Sequence, residues 1–165
     1  MTSRSSDLTS ASSEPVLGGI VPAAQLEAAL ARLRAEGVER GAIVAWLGHN
    51  SFEMLATLAA CEYLGAVLLP LNWRLTASEL ARIVAHAGAG HLLGTPECAA
   101  LAGTVGTLAT LRPGAAESVQ QEQGDLLLVY SSGTTGEPKG AMHTAAGTAA
   151  NIAAAIDAQG LDAAS

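Results

Sequence analysis

Aromatic side chains are scarce in this sequence, at 3% of 165 residues, although half of the residues are hydrophobic. Much of that apolar content is alanine, which buries little surface per residue, so a core has to be built from the Leu, Val and Ile clusters. Basic residues are also few, with 8 Lys and Arg against 15 Asp and Glu and a net charge of −7. This balance argues against nonspecific attachment to nucleic acid or to an anionic membrane. No apolar run approaches the roughly 18 residues of a membrane-spanning helix. The first fourteen residues, MTSRSSDLTSASSE, lack the apolar segment of a secretory signal. Their Ser and Thr content predicts a disordered tail over 1–21. A transit peptide is the weaker alternative, opposed by Asp7 and Glu14 beside a single arginine.

Cysteine is represented only by Cys61 and Cys98, with neither metal-ligand spacing nor a disulfide framework. Cys61 falls in an apolar helical run and reads as a buried free thiol. Cys98 follows Pro96 in a loop or short helix. Neither stands beside an activating base, and neither is assigned a catalytic role. Together these features predict a soluble protein of a reducing compartment, the cytoplasm.

What is present alternates between two periods. Pro22 suits a first helical turn, Leu26, Leu30 and Leu33 recur at helical spacing, and Gly37 is a stop. AIVAWL at 42–47 is a short apolar run suited to a strand buried on both faces. Ser51 is a good N-cap for a helix running to about Tyr63, apolar almost all round, with Glu53 and Glu62 its charges. Such a helix is expected to be deeply buried. Gly65 ends it and AVLLPL at 66–71 reads as a second strand. Thr76 and Glu79 form a capping-box pair, bracketed by Leu75 and Leu80 in staple positions. That helix carries Leu80, Ile83 and Val84 and closes at Gly88 or Gly90, before a third strand at 91–95. Connections this short imply parallel strands joined by right-handed helical crossovers, a layered α/β sheet with flanking helices. LATLRPG at 108–114 is a candidate further strand, and AAESVQQEQG at 115–124 reads as a solvated linker.

The informative segment starts at Asp125. Leu126–Tyr130 suits a buried strand and runs directly into Ser131, Ser132, Gly133, Thr134, Thr135, Gly136, Glu137, Pro138, Lys139 and Gly140. Three glycines let backbone N–H groups face an anion, four hydroxyls supply donors, and Lys139 supplies a compact positive charge. This is a candidate polyphosphate-binding loop, though not the usual P-loop, whose glycine spacing no register here supplies. The alternative is a flexible linker with an incidental lysine. The position directly after a hydrophobic strand and the stiffening by Pro138 oppose it.

YSSGTTGEPKG resembles the signature loop of the adenylate-forming superfamily, which includes acyl-CoA synthetases, luciferases and peptide-synthetase adenylation domains. GAIVAWLGHNSFEMLATLAACEYLGAVLLPLNWRLTASELARIVAHAGAGHLL resembles the early N-terminal region of the same superfamily, and its LNWRLTASEL wording looks most like acyl-CoA synthetases. The resemblance covers roughly residues 22 to 158 and implies a partial AMP-binding (adenylation) N-terminal domain over 22–165. It implies ATP-dependent carboxylate activation, giving an acyl-adenylate and pyrophosphate, followed by acyl transfer to a thiol such as that of CoA. Ser131, Ser132, Gly133, Thr134, Thr135, Gly136, Lys139 and Gly140 would then embrace the β- and γ-phosphates, with Mg²⁺ sharing the load.

Three features depart from the family pattern. The position five residues after the last loop glycine, often histidine, is Ala145, and nearby His143 reads as solvent-facing. The region before residue 22 is a Ser-rich tail. The segments that carry the adenine and ribose contacts, acyl pocket, magnesium-ligating glutamate, hinge and catalytic lysine of the family are not in this sequence. The expectation is therefore an incomplete chain, inactive alone, with no catalytic or metal-ligating residue assigned. It would be completed by a further C-terminal segment or a second chain. The contrasting expectation is a non-catalytic remnant, interaction module or partner-completed nucleotide-binding fragment. Elsewhere, Trp46 reads as core packing and Trp73 as packed on the third helix. His49, His86 and His91 read as solvated or hydrogen-bonded structural residues.

Overall fold

The structure, a computed structural model, describes residues 17–110, 122, 124–131 and 138–159. The apolar runs form the middle of a five-stranded sheet in the order β3-β1-β2-β4-β5, comprising β1 (Ile43–Leu47), β2 (Val67–Leu71), β3 (His91–Gly94), β4 (Asp125–Ser131) and β5 (Lys139–Thr144). Strands β1, β2, β3 and β4 are parallel, with Val44 opposite both Leu68 and His91, and Leu68 opposite Leu127. Beyond that last pair β2 carries Pro70, which has no N–H to give a ladder. The fifth strand, β5, is antiparallel to β4 and adds a hairpin to the expected parallel sheet.

Among the described residues five α-helices cover the two faces, α1 (Ala23–Ala35), α2 (Phe52–Leu64), α3 (Ala77–Ala87), α4 (Ala99–Thr110) and α5 (Ala145–Gln159). Leu33 of α1 and Ala56, Ala59 and Ala60 of α2 pack with Val44, Trp46 and Leu68 on one face, joined by Ile152 of α5. Leu80 and Val84 of α3 and Val105 of α4 pack with Ala45, Leu47 and Leu69 on the other. The crossover from β1 to β2 runs one way along the sheet through α2, and that from β2 to β3 runs back through α3. Right-handed connections demand opposite faces for opposite directions, which is what the two packing layers show.

Local chemistry sets the helix ends. The Ser51 hydroxyl accepts from the Met54 N–H at 3.2 Å, and α2 and α3 close on Gly65 and Gly88. The capping box is formed, the Thr76 N–H donating to the Glu79 carboxylate at 2.8 Å and the Glu79 N–H to the Thr76 hydroxyl at 3.3 Å. α2 is less enveloped than its composition suggests. It lies between the sheet and α1, and its third side leaves Phe52, Leu55 and Tyr63 exposed. Arg32 of α1 and Glu53 of α2 meet across this side at 2.7 Å, a solvent-exposed pair that adds little stability.

The strand expected at 108–114 is not formed over its described part, because Leu108–Thr110 end helix α4. Leu101, Val105 and Leu108 fall at helical spacing against the α3 layer, and the Thr104 and Thr107 hydroxyls donate to carbonyls four residues back. Residues 1–16 of the expected tail lie outside the described residues. Leu17–Gly19 form a short 3₁₀ turn whose Leu17 N–H donates to Glu62 at 2.8 Å, with Leu17 and Val21 buried. Trp46 is fully buried as expected, and burial pushes the Cys61 thiol up to about 12. No described helix is long and apolar enough to cross a membrane.

The hydroxyl and N–H of Thr76 hold the Glu79 carboxyl below its ordinary range. A depressed carboxyl pKa stabilises the folded state above the unfolded-state pKa, and the contribution disappears as pH falls through the folded-state value. Glu79→Ala is therefore expected to melt below the parent protein at pH 7 and in mildly acidic buffer alike, the gap closing only in strongly acidic buffer, below the ordinary carboxylate range. A gap independent of pH in thermal melts would contradict this.

Candidate functional site

Parallel strands place their carboxyl ends on one edge of the sheet, where open α/β folds bind ligands. Ser131 ends β4 at that edge, and the chain returns as β5 from Lys139. Pairing runs through Val129 opposite Ala141, Tyr130 opposite Gly140 and Ser131 opposite Lys139. The candidate loop is thus the connection of a β-hairpin. Of its residues, Ser131, Pro138, Lys139 and Gly140 are described, Pro138 partly buried and the other three exposed. Ser132, Gly133, Thr134, Thr135 and Gly136 lie outside the described residues.

Below that root, the hairpin is packed tightly. A Cβ at Gly140 would stand 2.9 Å from Leu128 Cδ1 and 3.1 Å from the Tyr130 ring. Only glycine leaves room for the ring to lie across its cross-strand partner. The Tyr130 hydroxyl then reaches His86 Nδ1 in the last turn of α3, at 2.7 Å, with the two rings edge to face. Burial raises the Tyr130 phenol above its ordinary pKa, so it stays protonated at neutral pH. His86 is therefore a hydrogen-bonded histidine, as its sequence context suggests. Neither β5 nor the Tyr130–Gly140 packing was foreseen. Lys139–Thr144 show no clean apolar–polar alternation, and the ladder with β4 rather than a local signal makes them a strand.

Other side chains of the same edge follow β1 and β2. The Trp73 ring is 38% exposed and meets His49 at 4.6 Å between centroids, with the Arg74 guanidinium 4.9 Å from its centre. The partners that Trp73 shows are thus His49 and Arg74. His143 is half-buried on β5 rather than freely solvated. Among the described residues no group of three His, Cys, Asp or Glu stands together to hold a metal.

The sequence profile of the AMP-binding enzyme family matches residues 23–164. Feruloyl-CoA synthase from an Amycolatopsis species is 45% identical over 124 residues, covering 68% of this chain and 25% of that protein. Indoleacetate–CoA ligase from Aromatoleum aromaticum is 36% identical over 155 residues, covering 79% and 30%. Among solved structures, o-succinylbenzoate-CoA synthetase from Bacillus subtilis, in complex with its acyl-adenylate intermediate, superposes with a TM-score of 0.63 at 28% identity. That match covers 87% of this chain and 41% of the other. The N-terminal domain of FACL13 from Mycobacterium tuberculosis gives 0.57 at 33% identity, covering 74% and 36%. The chain thus spans roughly a quarter to a third of the curated relatives it matches.

Gly140→Ala is expected to lower stability by about 1–2 kcal/mol, because the added methyl displaces the Tyr130 ring or the Leu128 side chain. Chemical denaturation measures this, and an unchanged midpoint would contradict the packing.

Proposed function

The chain belongs to the AMP-binding enzyme family, and from that premise we propose that its hairpin loop holds the polyphosphate of ATP during carboxylate activation. The observation that carries this reading is the pairing of Ser131 with Lys139 at the carboxyl edge of the sheet. A hydroxyl donor and an ammonium group stand opposite each other at the root of a loop rich in glycine and hydroxyls.

In the proposed reaction a carboxylate oxygen attacks the α-phosphorus of ATP, and the bond to the bridging oxygen breaks, releasing pyrophosphate and leaving an acyl-adenylate. A thiol, CoA in the related ligases, then takes the acyl group and AMP leaves. Charge accumulates on the departing pyrophosphate, and that is where Lys139 Nζ and the loop donors act. Groups fixed beforehand at the site of developing charge stabilise the transition state without reorganising. Ser131, Ser132, Thr134 and Thr135 supply hydroxyl donors, and Gly133, Gly136 and Gly140 allow the backbone to approach. Magnesium enters as the ion that accompanies ATP, and no protein ligand is assigned to it. The acid is left open, and free ATP and CoA as co-substrates fit a cytoplasmic protein.

The test uses the protein purified from the cells that make it. Given Mg-ATP and a panel of carboxylates beginning with ferulate and indoleacetate, it is expected to release pyrophosphate, and Lys139→Ala to slow release by about a hundredfold. Absence of pyrophosphate with every acid, or equal rates in the variant, would overturn the reading.

A further inference from the structure

We infer that Tyr130 and His86 are positioning residues that fix which face of the hairpin presents Ser131 and Lys139, an inference that rests on the phosphate-binding reading above. Successive side chains of a strand point to opposite faces. Leu128, Tyr130 and Met142 pack into the layer beneath α3 and α4. Ser131, next to Tyr130, and Lys139, next to Gly140, are thereby directed to the opposite face, and as cross-strand partners they emerge side by side.

A hairpin at a sheet edge does not hold such a register by its ladder alone, and a slip of one residue exchanges the faces of every side chain on the slipped strand. Two features oppose the slip here. The Tyr130 ring fits over residue 140 because that residue has no Cβ. In the adjacent registers Lys139 or Ala141 would take that place, each bringing a Cβ against the ring. The second feature is the 2.7 Å bond from the Tyr130 hydroxyl to His86 of α3, which ties the ring to an element outside the hairpin. A phenol both donates and accepts, so the bond survives with either imidazole nitrogen protonated. Helix α3 is itself held on the sheet by Leu80, Ala81 and Val84, all buried. The direction of the Lys139 ammonium is therefore referred to the core rather than to the loop.

The experiment measures Mg-ATP affinity by calorimetry on the protein as its cells make it, well below the melting temperature. Tyr130→Phe keeps the ring over Gly140 and removes only the hydroxyl. It is expected to weaken Mg-ATP binding by about threefold to tenfold, the equivalent of one hydrogen bond. His86→Leu is expected to match it, the double variant to be no worse than either, and His86→Asn to recover most of the loss. Additive losses, or lower melting temperatures with unchanged affinity, would overturn the inference and leave the pair a merely structural contact. Lys139→Ala separates the two levels of the argument. If it weakens binding while Tyr130→Phe does not, positioning falls and the phosphate reading stands. If neither variant changes affinity, both fall.

Discussion

The register between β4 and β5 is the constraint on which the candidate site depends. A strand offers alternate side chains to each face, so a hairpin root aims a hydroxyl and an ammonium at one ligand when they share a face, as cross-strand partners do. Ser131 and Lys139 are such partners. The pair below them, Tyr130 over Gly140, is occupied by a ring with no room for another substituent. One packing contact therefore links the buried layer under α3 and α4 to two exposed polar residues.

The rest of the fold builds the edge where this hairpin ends. β1 is buried on both faces because α1 and α2 cover one side and α3 and α4 the other. That enclosure is reached with alanine-rich helices, which approach the sheet closely and leave the Leu and Val clusters to fill the layers. β4 joins the sheet through Leu68 opposite Leu127 and carries the loop away from its carboxyl end. The arrangement agrees with the superposition on adenylate-forming relatives, in which this chain corresponds to a minority of the length.

Much of this was legible in the sequence wherever local chemistry and periodicity agree. Ser51, and Thr76 with Glu79, announce helix starts that the structure forms with the expected bonds. The runs at 42–47, 66–71 and 91–95 announce parallel strands, the first of them buried on both faces. The misreadings lie where tertiary packing decides. Leu108–Thr110 are apolar and threonine-containing, as a strand would be, yet their spacing from Leu101 and Val105 favours a helix packed on α3. Lys139–Thr144 are too polar and exposed to read as a strand alone, and β4 supplies their ladder. The His86–Tyr130 bond joins residues 44 apart in sequence, a proximity no local pattern encodes.

The central claim is that the hairpin root receives the phosphates of ATP, and the most direct test is an amide-resolved NMR titration of the isotope-labelled protein with Mg-ATP. The expected result is that the amides of Ser131, Lys139 and Gly140 shift together along one binding curve, while those of α4, in the layer on the opposite face of the sheet, stay in place. Saturable shifts elsewhere with these three amides unmoved would contradict the account.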